Sequence, residues 1–389
     1  MKRSAGIYLT SSTGPEPFQT FVPAPLPPSP PLELTPDLQQ LLETANRALG
    51  RLDGTGIMLP DSGLFRSFSI RKEALLSSQI EGTQSSFADL LLYESHETPG
   101  VPLDDVEEVS SYVAALEHGL RRLREGFPLS LRLLREVHEI LLSTGRVSQQ
   151  SPGEFRRSQN WIGGSRPGNA RYVPPPPDRL MECLGQLEKF LHDDPSPTPT
   201  LIKAALTHVQ FETIHPFLDG NGRLGRLLIT LILCAEGALT EPLLYLSLYL
   251  KTNRAAYYDL LQRMRDTGDW EEWLRFFLQG VLETAETGAQ TTQAILALFA
   301  EDRARVQELK RGAASALRVF QQAQRMPLLT VARAAEALSV SLPTVRAAIG
   351  ALQESGILHE QTGRQRDRVY VYSRYLALLN AGTEPLKNK

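Results

Sequence analysis

The stretch TIHPFLDGNGRLGRLLITLILC, Thr213 to Cys234, decides the fold because it joins a polar, glycine-rich loop to a long apolar helix. From Leu224 onward, apolar residues recur at the spacing of one helix face, and further apolar residues occupy the other faces. A helix that is apolar nearly all round is buried in a core. The sequence therefore predicts that the loop is held rigidly at the start of a buried helix.

This loop carries the features of an anion-binding site. Gly220, Asn221 and Gly222 let the backbone turn sharply, so that several N–H groups can point together toward an anion. The free N–H groups and the positive end of the following helix favour the same ligand. Arg223 and Arg226 lie three residues apart on one side of that helix and can reach further phosphate groups. These residues predict a site for a polyphosphate.

Two more side chains of the loop suit phosphate chemistry. His215 precedes a proline that stiffens the loop, and a neutral imidazole can take a proton from a hydroxyl group. Asp219 offers the hard oxygen ligand that Mg²⁺ prefers beside phosphates. The pattern is neither a Walker A loop nor an H-E-x-x-H zinc site. Each residue alone has a structural explanation, but their combination within twelve residues predicts a catalytic site.

The segment from His215 to Arg226, HPFLDGNGRLGR, resembles the complete signature of Fic domains, His-Pro-Phe-x-Asp/Glu-Gly-Asn-Gly-Arg-x-x-Arg. The resemblance implies transfer of AMP from ATP to a Ser, Thr or Tyr hydroxyl of a protein. His215 would be the base, Asp219 would hold Mg²⁺ or Mn²⁺, and Arg226 would reach the γ-phosphate. The residues that the resemblance assigns to nucleotide binding within the signature are Gly220, Asn221, Gly222, Arg223, Leu224, Gly225 and Arg226.

A second motif, KEALLSSQIEGT from Lys72 to Thr83, resembles the inhibitory helix of Fic proteins, Ser/Thr-x-x-x-Glu-Gly/Asn. Ser77, Glu81 and Gly82 occupy the matching positions, and the first two face the same way because they are four residues apart on a helix. The resemblance implies that Glu81 pairs with Arg226 and blocks the seat of the γ-phosphate. The protein would then be inhibited by its own N-terminal helix.

Two further segments are candidates for the site. The Gly- and Pro-rich stretch from Phe155 to Pro177 is predicted to form a β-hairpin or an ordered surface loop. It resembles the flap of the family, which pairs with the extended backbone of a target protein. Tyr257 and Tyr258 lie where family members place tyrosines near the adenine, although two tyrosines on a helix also suit a core. His208 is expected to pack against the signature loop or to orient it.

The remaining regions are predicted from composition and helical spacing. Residues 1–36 are Pro-rich and are expected to form an extended arm. Residues 37–124 are predicted to be an N-terminal helical region that includes the inhibitory helix. A catalytic core over residues 125–285 and a connecting helix over residues 286–318 follow.

Residues 319–389 have the pattern of a winged helix, with helix, tight turn and helix followed by the short strands GILHE and RVYVYS. From Glu301 onward, 14 Lys and Arg stand against 8 Asp and Glu, so this end carries six excess positive charges and the rest nine excess negative charges. The candidate DNA contacts are Thr344, Arg346 and Gln353 on the second helix and Arg364, Arg366 and Arg368 on the wing. Docking of a protein or dimerisation is an equally open role.

Composition excludes several classes of protein. Net charge is −3 over 389 residues, which does not suit a nucleic-acid coat protein or a membrane-surface protein as a whole. Cys183 and Cys234 form no C-x-x-C pair, so neither a disulfide framework nor a thiolate metal site is expected. The N-terminus lacks the apolar region of a signal peptide, and the longest apolar run is too short to span a bilayer. A cytoplasmic location without a membrane partner is therefore expected.

The sequence thus predicts a mainly α protein with a Fic-type helical core, a β-hairpin flap and a C-terminal winged helix-turn-helix domain. The predicted function is that of a self-inhibited protein adenylyltransferase that uses ATP and acts on an unknown target protein. Alternatives at the same site are transfer of UMP or phosphate and removal of AMP. A nucleotide-sensing transcription regulator that binds DNA is the non-enzymatic alternative, and a homodimer is a further candidate assembly.

Overall fold

The computed structural model describes residues 3–11, 16–57, 62–94, 101–144, 151–309, 312–363 and 367–385. In these ranges the protein is mainly α-helical, as the sequence predicted. The helices are α1 (Pro36–Ile57), α2 (Ser62–Glu81), α3 (Phe87–Glu94), α4 (Leu103–Arg124), α5 (Leu131–Leu141), α6 (Pro177–Leu191), α7 (Thr200–Ile214), α8 (Asn221–Ala235), α9 (Ser247–Thr252), α10 (Arg254–Thr267), α11 (Trp270–Gln307), α12 (Ala313–Arg325), α13 (Val331–Leu338), α14 (Leu342–Glu354) and α15 (Ser373–Asn380). The strands are β1 (Gly6–Ser11) and β2 (Phe18–Pro23), paired antiparallel, and β3 (Leu328–Thr330), β4 (His359–Glu360) and β5 (Val369–Val371), in the sheet order β3-β5-β4.

Helix α8 forms the centre of the helical core. Its apolar side chains from Leu224 to Leu233 are buried, and it packs against α7, α4, α2 and α5. Each fully buried Leu or Ile contributes roughly 1.5–3 kcal/mol relative to an exposed one, so this helix is strongly fixed. The start of α8 is therefore held at one place, and the loop that precedes it is held with it. No helix of the described residues is both long and apolar enough to cross a membrane.

The first 36 residues differ from the predicted extended arm. Strands β1 and β2 form a hairpin in which Tyr8 stands opposite Phe21. The ring of Phe21 is buried and lies 6.3 Å from that of Tyr172, and its N–H donates to the carbonyl of Val173 at 2.9 Å. The strand pairing was not predicted from the proline content, because most prolines follow Pro23, whereas strand-forming apolar and β-branched residues precede them.

Residues 155–177, predicted as a β-hairpin or an ordered loop, form an ordered loop with minimal strand pairing. Within this fully described stretch, a single β-bridge joins Ile162 to Tyr172, and a 3-10 turn covers Pro167–Asn169. Gly163 and Gly164 have φ values of 70° and 72°, which extended strands do not adopt. The hairpin therefore closes after one pair. It is anchored to the core by the Tyr172 hydroxyl, which donates to the carbonyl of Thr213 at 2.6 Å.

Helix α11 runs without a break from Trp270 to Gln307, so the boundary predicted between residues 285 and 286 does not separate two elements. Gly280 and Gly288 lie inside the helix. The side chains of Tyr249 and Leu52 occupy the space that a Cβ at these two positions would need. These glycines allow close packing of neighbouring helices and do not end α11. The catalytic core and the connecting helix thus share one rigid element.

The C-terminal region follows the predicted order of helix, turn, helix and two strands, here α13, α14, β4 and β5, with β3 as an additional strand. Thr330 and Ser341 cap α13 and α14 by accepting hydrogen bonds from Arg333 N and Thr344 N. Of the predicted wing residues, Arg364 and Arg366 lie outside the described residues. Arg368 is described and contributes to lowering the pKa of Glu360.

Helix α15 and the residues that follow it return to the N-terminal region. The ring of Tyr375 lies 5.5 Å from that of Phe68 on α2, in an edge-on arrangement. The Tyr372 hydroxyl donates to the buried carboxylate of Asp302 on α11 at 2.6 Å. The C-terminal region is therefore joined both to the long helix α11 and to the predicted inhibitory helix α2.

Candidate active site

The signature loop runs from His215 to Gly220 and joins α7 to α8. The residue at each end of the loop adopts the left-handed backbone conformation. His215 ends α7 with φ 49°, and Gly220 precedes α8 with φ 75°. Glycine adopts this conformation without penalty, whereas another residue pays roughly 1–2 kcal/mol. The strained conformation of His215 is held by its surroundings, since its carbonyl accepts from Arg156 Nε at 2.9 Å and from Asn160 Nδ2 at 3.2 Å.

The amide of Asn221 braces this loop from inside. Its Oδ1 accepts from the N–H of Phe217 and its Nδ2 donates to the carbonyl of Phe217, both at 2.9 Å. Asn160 donates to the same carbonyl at 2.9 Å. The side chain of Asn221, predicted to bind nucleotide, is therefore used to shape the loop, although Asn221 also borders the cavity.

The imidazole of His215 faces a cavity with one edge and the core with the other. Its side chain is 17% exposed, and its Nδ1 atom is buried without a hydrogen-bond partner among the described residues. Burial, reinforced by the positive charges of Arg265 and Arg156, lowers the pKa of His215 to about 3. The ring is therefore neutral near pH 7, the state that a general base needs.

Helix α2 places Ser77 and Glu81 against Arg226, as the inhibitory motif predicted. Arg226 is 2% exposed, and its Nε donates to Ser77 Oγ at 2.8 Å. Its Nη2 donates to the Ser77 carbonyl at 3.0 Å and to Glu81 Oε1 at 2.6 Å. Burial alone would raise the pKa of Glu81, but the guanidinium of Arg226 outweighs it and holds that pKa below its usual value. Gly82 ends the helix with φ 114°, a conformation that favours glycine.

A cavity of about 610 Å³ opens at the start of α8, which is within the usual size of a small-molecule site. Glu81 lies on its wall, so its side chain remains 38% exposed in spite of the ion pair. Gly222 allows this position because a Cβ there would lie 2.4 Å from Glu81 Oε1. The predicted site residues that border the cavity are Glu81, His215, Asp219, Gly220, Asn221, Gly222, Arg223, Arg226, Tyr257 and Tyr258.

Two predicted nucleotide-binding residues do not face the cavity. The side chain of Leu224 is completely buried in the core. Gly225 faces Glu212, because a Cβ at this glycine would lie 2.6 Å from Glu212 Oε1. Consecutive positions of a helix point in different directions, so only part of α8 meets the cavity, and a role of Leu224 and Gly225 in nucleotide binding stays a prediction.

Asp219 and Arg223 lie together at the mouth of the cavity. Arg223 Nη2 is 3.7 Å from Asp219 Oδ2, and Arg223 Nη1 donates to Glu108 Oε2 at 3.4 Å. Mg²⁺ bound beside phosphates often uses one or two carboxylates and takes its other ligands from phosphate and water, which the half-exposed Asp219 fits. The described residues contain no group of three or more His, Cys, Asp and Glu that could hold a metal alone.

The two tyrosines divide between core and cavity. Tyr257 is buried, and its hydroxyl donates to Nε2 of His208, whose Nδ1 donates to the carbonyl of Gly225 at 3.0 Å. Burial lowers the pKa of His208 to about 4, consistent with a neutral ring that accepts at one nitrogen and donates at the other. His208 therefore orients the signature helix. Tyr258 lies 5.0 Å from the ring of Tyr257 and is only partly buried.

Sequence reasoning missed several polar residues of the site. Arg156 and Asn160 hold the loop, although both stand in the Gly- and Pro-rich stretch that was assigned to the flap. Arg265 on α10 donates to the carbonyl of Glu212 at 3.3 Å and has no sequence signal, because it lies about 50 positions from the loop. Glu212 had one signal, namely an acidic residue on a helix whose other residues are almost all buried.

Comparison with known proteins supports the resemblance carried by the two motifs. Residues 39–121 match the family described as Fic/DOC family N-terminal, and residues 128–233 match the Fic/DOC family. The protein adenylyltransferase Fic of Culex quinquefasciatus is 31% identical over 225 residues, which cover 56% of this chain and 41% of that protein. The protein of the same name from Drosophila mojavensis is 30% identical over 255 residues, covering 62% and 47% respectively. The chain spans less than half the length of these relatives.

Solved structures share the fold. A Fic family protein from Desulfovibrio desulfuricans G20 superposes with a TM-score of 0.58 at 21% identity, over 88% of this chain and 97% of that chain. A Fic domain-containing signaling protein from Bacteroides thetaiotaomicron gives a TM-score of 0.51 at 19% identity, over 64% and 96%. The two matched segments contain helix α2 and the signature loop, two of the parts that line the cavity. By its motifs, its fold and these matches, the chain belongs to the Fic/DOC family.

Proposed function

We propose that this chain transfers AMP from ATP to a hydroxyl group of a protein and that helix α2 inhibits the reaction. The observation that favours this most is the position of a neutral His215 beside a cavity that also contains the start of α8 and the guanidinium of Arg226. The names of the relatives from Culex and Drosophila point to the same reaction.

The phosphates would bind at the start of α8. The first backbone N–H groups of a helix have no partner within it, and here they open toward the cavity at Asn221, Gly222 and Arg223. The macrodipole of α8 favours negative charge at the same point. Arg223 would add a charge-assisted hydrogen bond to a phosphate oxygen. These groups would fix the α-phosphorus in front of His215.

His215 would act as the general base. Its cavity-side nitrogen, Nε2, would take the proton of the target hydroxyl while that oxygen forms a bond to the α-phosphorus. The bond from the α-phosphorus to the bridging oxygen would break, and the electron pair would leave with pyrophosphate. Asp219 would hold Mg²⁺, which supplies positive charge to the phosphates when it is bound.

Glu81 would inhibit by occupying Arg226. A γ-phosphate at this guanidinium would compete with a carboxylate that already bonds to it at 2.6 Å. The same carboxylate faces into the cavity, so it would also repel the triphosphate. ATP would then bind without its productive arrangement until Glu81 moves away.

Intact-mass measurement after incubation with ATP and Mg²⁺ or Mn²⁺ tests the proposal. The Glu81→Gly variant should attach AMP to itself or to an added protein at least about tenfold faster than the unmodified chain, equivalent to roughly 1.4 kcal/mol of barrier. Adding His215→Ala to that variant should abolish the mass increase. Absence of any AMP adduct on the Glu81→Gly variant with either metal would refute AMP transfer. An adduct with the mass of phosphate or UMP would favour the neighbouring reactions.

DNA binding through α14 is a second candidate function, favoured by the side chains that this helix leaves in solvent. Arg346 and Gln353 are exposed, whereas the Thr344 hydroxyl lies 2.8 Å from that of Ser341. Loss of DNA retention with Arg346→Ala, at unchanged AMP transfer, would support this role. Equal retention of the variant and the unmodified chain would argue against it.

A further inference from the structure

Glu212 is a buried carboxylate beside the proposed base with no assigned role in the reaction. It lies in the last turn of α7, three residues before His215, and is 6% exposed. Its Oε2 atom is 3.9 Å from His215 Nδ1. Its Oε1 atom and that Nδ1 atom are both buried without a hydrogen-bond partner in the part of the chain that the structure describes. Such orphaned buried polar atoms are costly and call for a functional or structural reason.

Neighbouring helices pack around the Glu212 carboxylate, but among the described residues none donates a hydrogen bond to its Oε1 atom. Oε1 lies against α8 at the one position where Gly225 leaves room for it. The charged and titratable groups that interact with Glu212 from the neighbouring helices are Arg226 on α8, Glu81 on α2, and Arg265, Tyr257 and Tyr258 on α10. Burial is the largest influence and raises the pKa of Glu212 to about 7. The Glu212 carboxyl group therefore lies beside the imidazole of His215 and has a pKa close to neutral pH.

The chemistry of the base requires an acceptor on this side of the ring. Because Nδ1 of His215 is buried, the nitrogen that can reach a hydroxyl in the cavity is Nε2, and Nδ1 must then carry the ring hydrogen. The backbone carbonyl of Glu212 faces this ring and raises the pKa of His215, but within the described residues it forms no hydrogen bond of good geometry with Nδ1. When Nε2 takes a proton, the ring also becomes a cation near Arg265 and Arg156, which both oppose that charge. Glu212 can offset this positive charge with its backbone carbonyl and with its carboxylate.

We propose that Glu212 is a positioning residue for the AMP transfer proposed above: its carboxylate accepts a hydrogen bond from Nδ1–H of His215 and stabilises the imidazolium formed when Nε2 takes the hydroxyl proton. The proton moves from the target oxygen to Nε2 while Glu212 keeps its charge. The contact shortens from 3.9 Å to a hydrogen-bond distance of about 2.8 Å when substrate binds, as catalytic hydrogen bonds often do. Oε1 has no hydrogen-bond partner among the described residues, so a turn of the carboxylate toward Nδ1 breaks no hydrogen bond of that atom.

Kinetics in the Glu81→Gly background test this role. Adding Glu212→Gln, which keeps the shape and removes the charge, should lower kcat at least about tenfold and leave KM for ATP within about twofold. The matched control is Glu236→Gln at the far end of α8, where the carboxylate binds Lys203 at 2.7 Å and lies away from the cavity. An unchanged kcat for Glu212→Gln, in a parent variant that transfers AMP, overturns the role of Glu212 and leaves the proposed function intact.

The pH profile gives a signature that a merely structural residue would not produce. In the parent Glu81→Gly variant the pKa of Glu212 should lie below about 7, since the charge of Glu81 no longer raises it, and the rate should fall as pH drops through that pKa. The added Glu212→Gln change should remove this fall. A fall that persists unchanged in the glutamine variant would contradict the proposal.

A spectroscopic measurement remains decisive even if no transfer is detected. In protein labelled with ¹⁵N-histidine, the His215 resonances, identified by their loss in His215→Ala, should report hydrogen on Nδ1 at pH 8. Glu212→Leu removes the side-chain acceptor and should shift the ring toward hydrogen on Nε2. The same distribution of hydrogen in both proteins would overturn the proposed hydrogen bond, whereas absence of AMP transfer alone would refute only the reaction.

Discussion

Helix α2 is held on two opposite faces by two different kinds of contact. On one face, Ser77 and Glu81 bind the guanidinium of Arg226 at the wall of the cavity. On the other, Gln79 Nε2 donates to the carbonyl of Thr383 at 2.8 Å, and its Oε1 accepts from Lys251 Nζ at 2.7 Å. Gln79 lies about 200° around the helix from Ser77, which separates the two sets of contacts.

The difference lies in what can compete with each contact. A phosphate can replace the carboxylate of Glu81 at Arg226, because both are anions and the cavity gives access. Gln79 is 1% exposed, and its partners are Lys251, the carbonyl of Ser85 and the backbone of the C-terminal tail, defined here as residues 381–385. No nucleotide can reach that face. The first face can therefore respond to ligand, whereas the second fixes the position of α2 and joins it to the C-terminal region.

Loss of the contacts that Ser77 and Glu81 make with Arg226 should have the largest effect on stability. Arg226→Ala should lower the free energy of unfolding by about 3 kcal/mol, the lower end of the range for loss of one partner of a buried ion pair, because Glu81 remains partly solvated. The Ser77 carbonyl and hydroxyl would lose their donor as well. Urea denaturation measures the change. The control Arg263→Ala breaks an exposed pair with Glu272 and should cost far less, because solvent screens that pair. Equal losses in both variants would show that the Arg226 contact adds little.

The first face could be predicted from the sequence, and the second could not. Each side of the Glu81–Arg226 contact lies in a short linear motif that resembles a family pattern, so the pairing followed from two matches. Lys251 and Thr383 stand 172 and 304 positions from Gln79, and no local pattern marks any of them as partners. Contacts of this kind depend on where whole helices dock, which a single sequence does not encode in its periodicity.

Within the site, the motif located the backbone but not the direction of every side chain. Asn221 and Leu224 belong to the signature, yet the first braces the loop and the second lies in the core. Glu212, which is not part of the signature, faces the proposed base. A motif specifies residue types and order, whereas side-chain direction depends on how α7 and α8 are rotated against each other. The contact of the N-terminal hairpin with the core, through Phe21 and Tyr172, likewise joins distant positions that no local pattern marks as partners.

The face of α2 that carries Gln79 should make the stability of the protein depend on pH, through Lys72. Lys72 lies seven residues before Gln79 on this face, and burial lowers its pKa to about 8, opposed by the charge of Glu384. Between pH 8 and its unfolded pKa of about 10.4, the unfolded chain holds a proton that the folded chain lacks, so rising pH favours the folded state. Lys72→Met should therefore be more stable than the unmodified chain by roughly 2–3 kcal/mol at pH 7, and this advantage should fall below about 1 kcal/mol at pH 10.

Urea denaturation at the two pH values measures this difference. Lys189→Met, at an exposed position on α6, is the control and should show no such dependence. A constant difference between Lys72→Met and the unmodified chain at both pH values would mean that Lys72 stays charged in the folded protein.

The smallest expected effect tests whether the two faces act together. Deletion of residues 382–389 removes the carbonyls that Gln79 and Lys251 bind, so α2 should hold Glu81 less firmly against Arg226. AMP transfer by the chain with native Glu81 should then rise about threefold, equivalent to roughly 0.6 kcal/mol. Deletion of residues 386–389 alone keeps those carbonyls and is the matched control.

Comparison with the Glu81→Gly background separates coupling from a direct effect. If the tail acts by holding α2 in its inhibitory position, deletion of residues 382–389 should change nothing once Glu81 is absent, since no inhibitory contact remains to be weakened. The same threefold rise in both backgrounds would mean that the tail affects the cavity by another route. No rise in either would mean that the Arg226 contact fixes α2 unaided, so that the second face supplies stability without regulation.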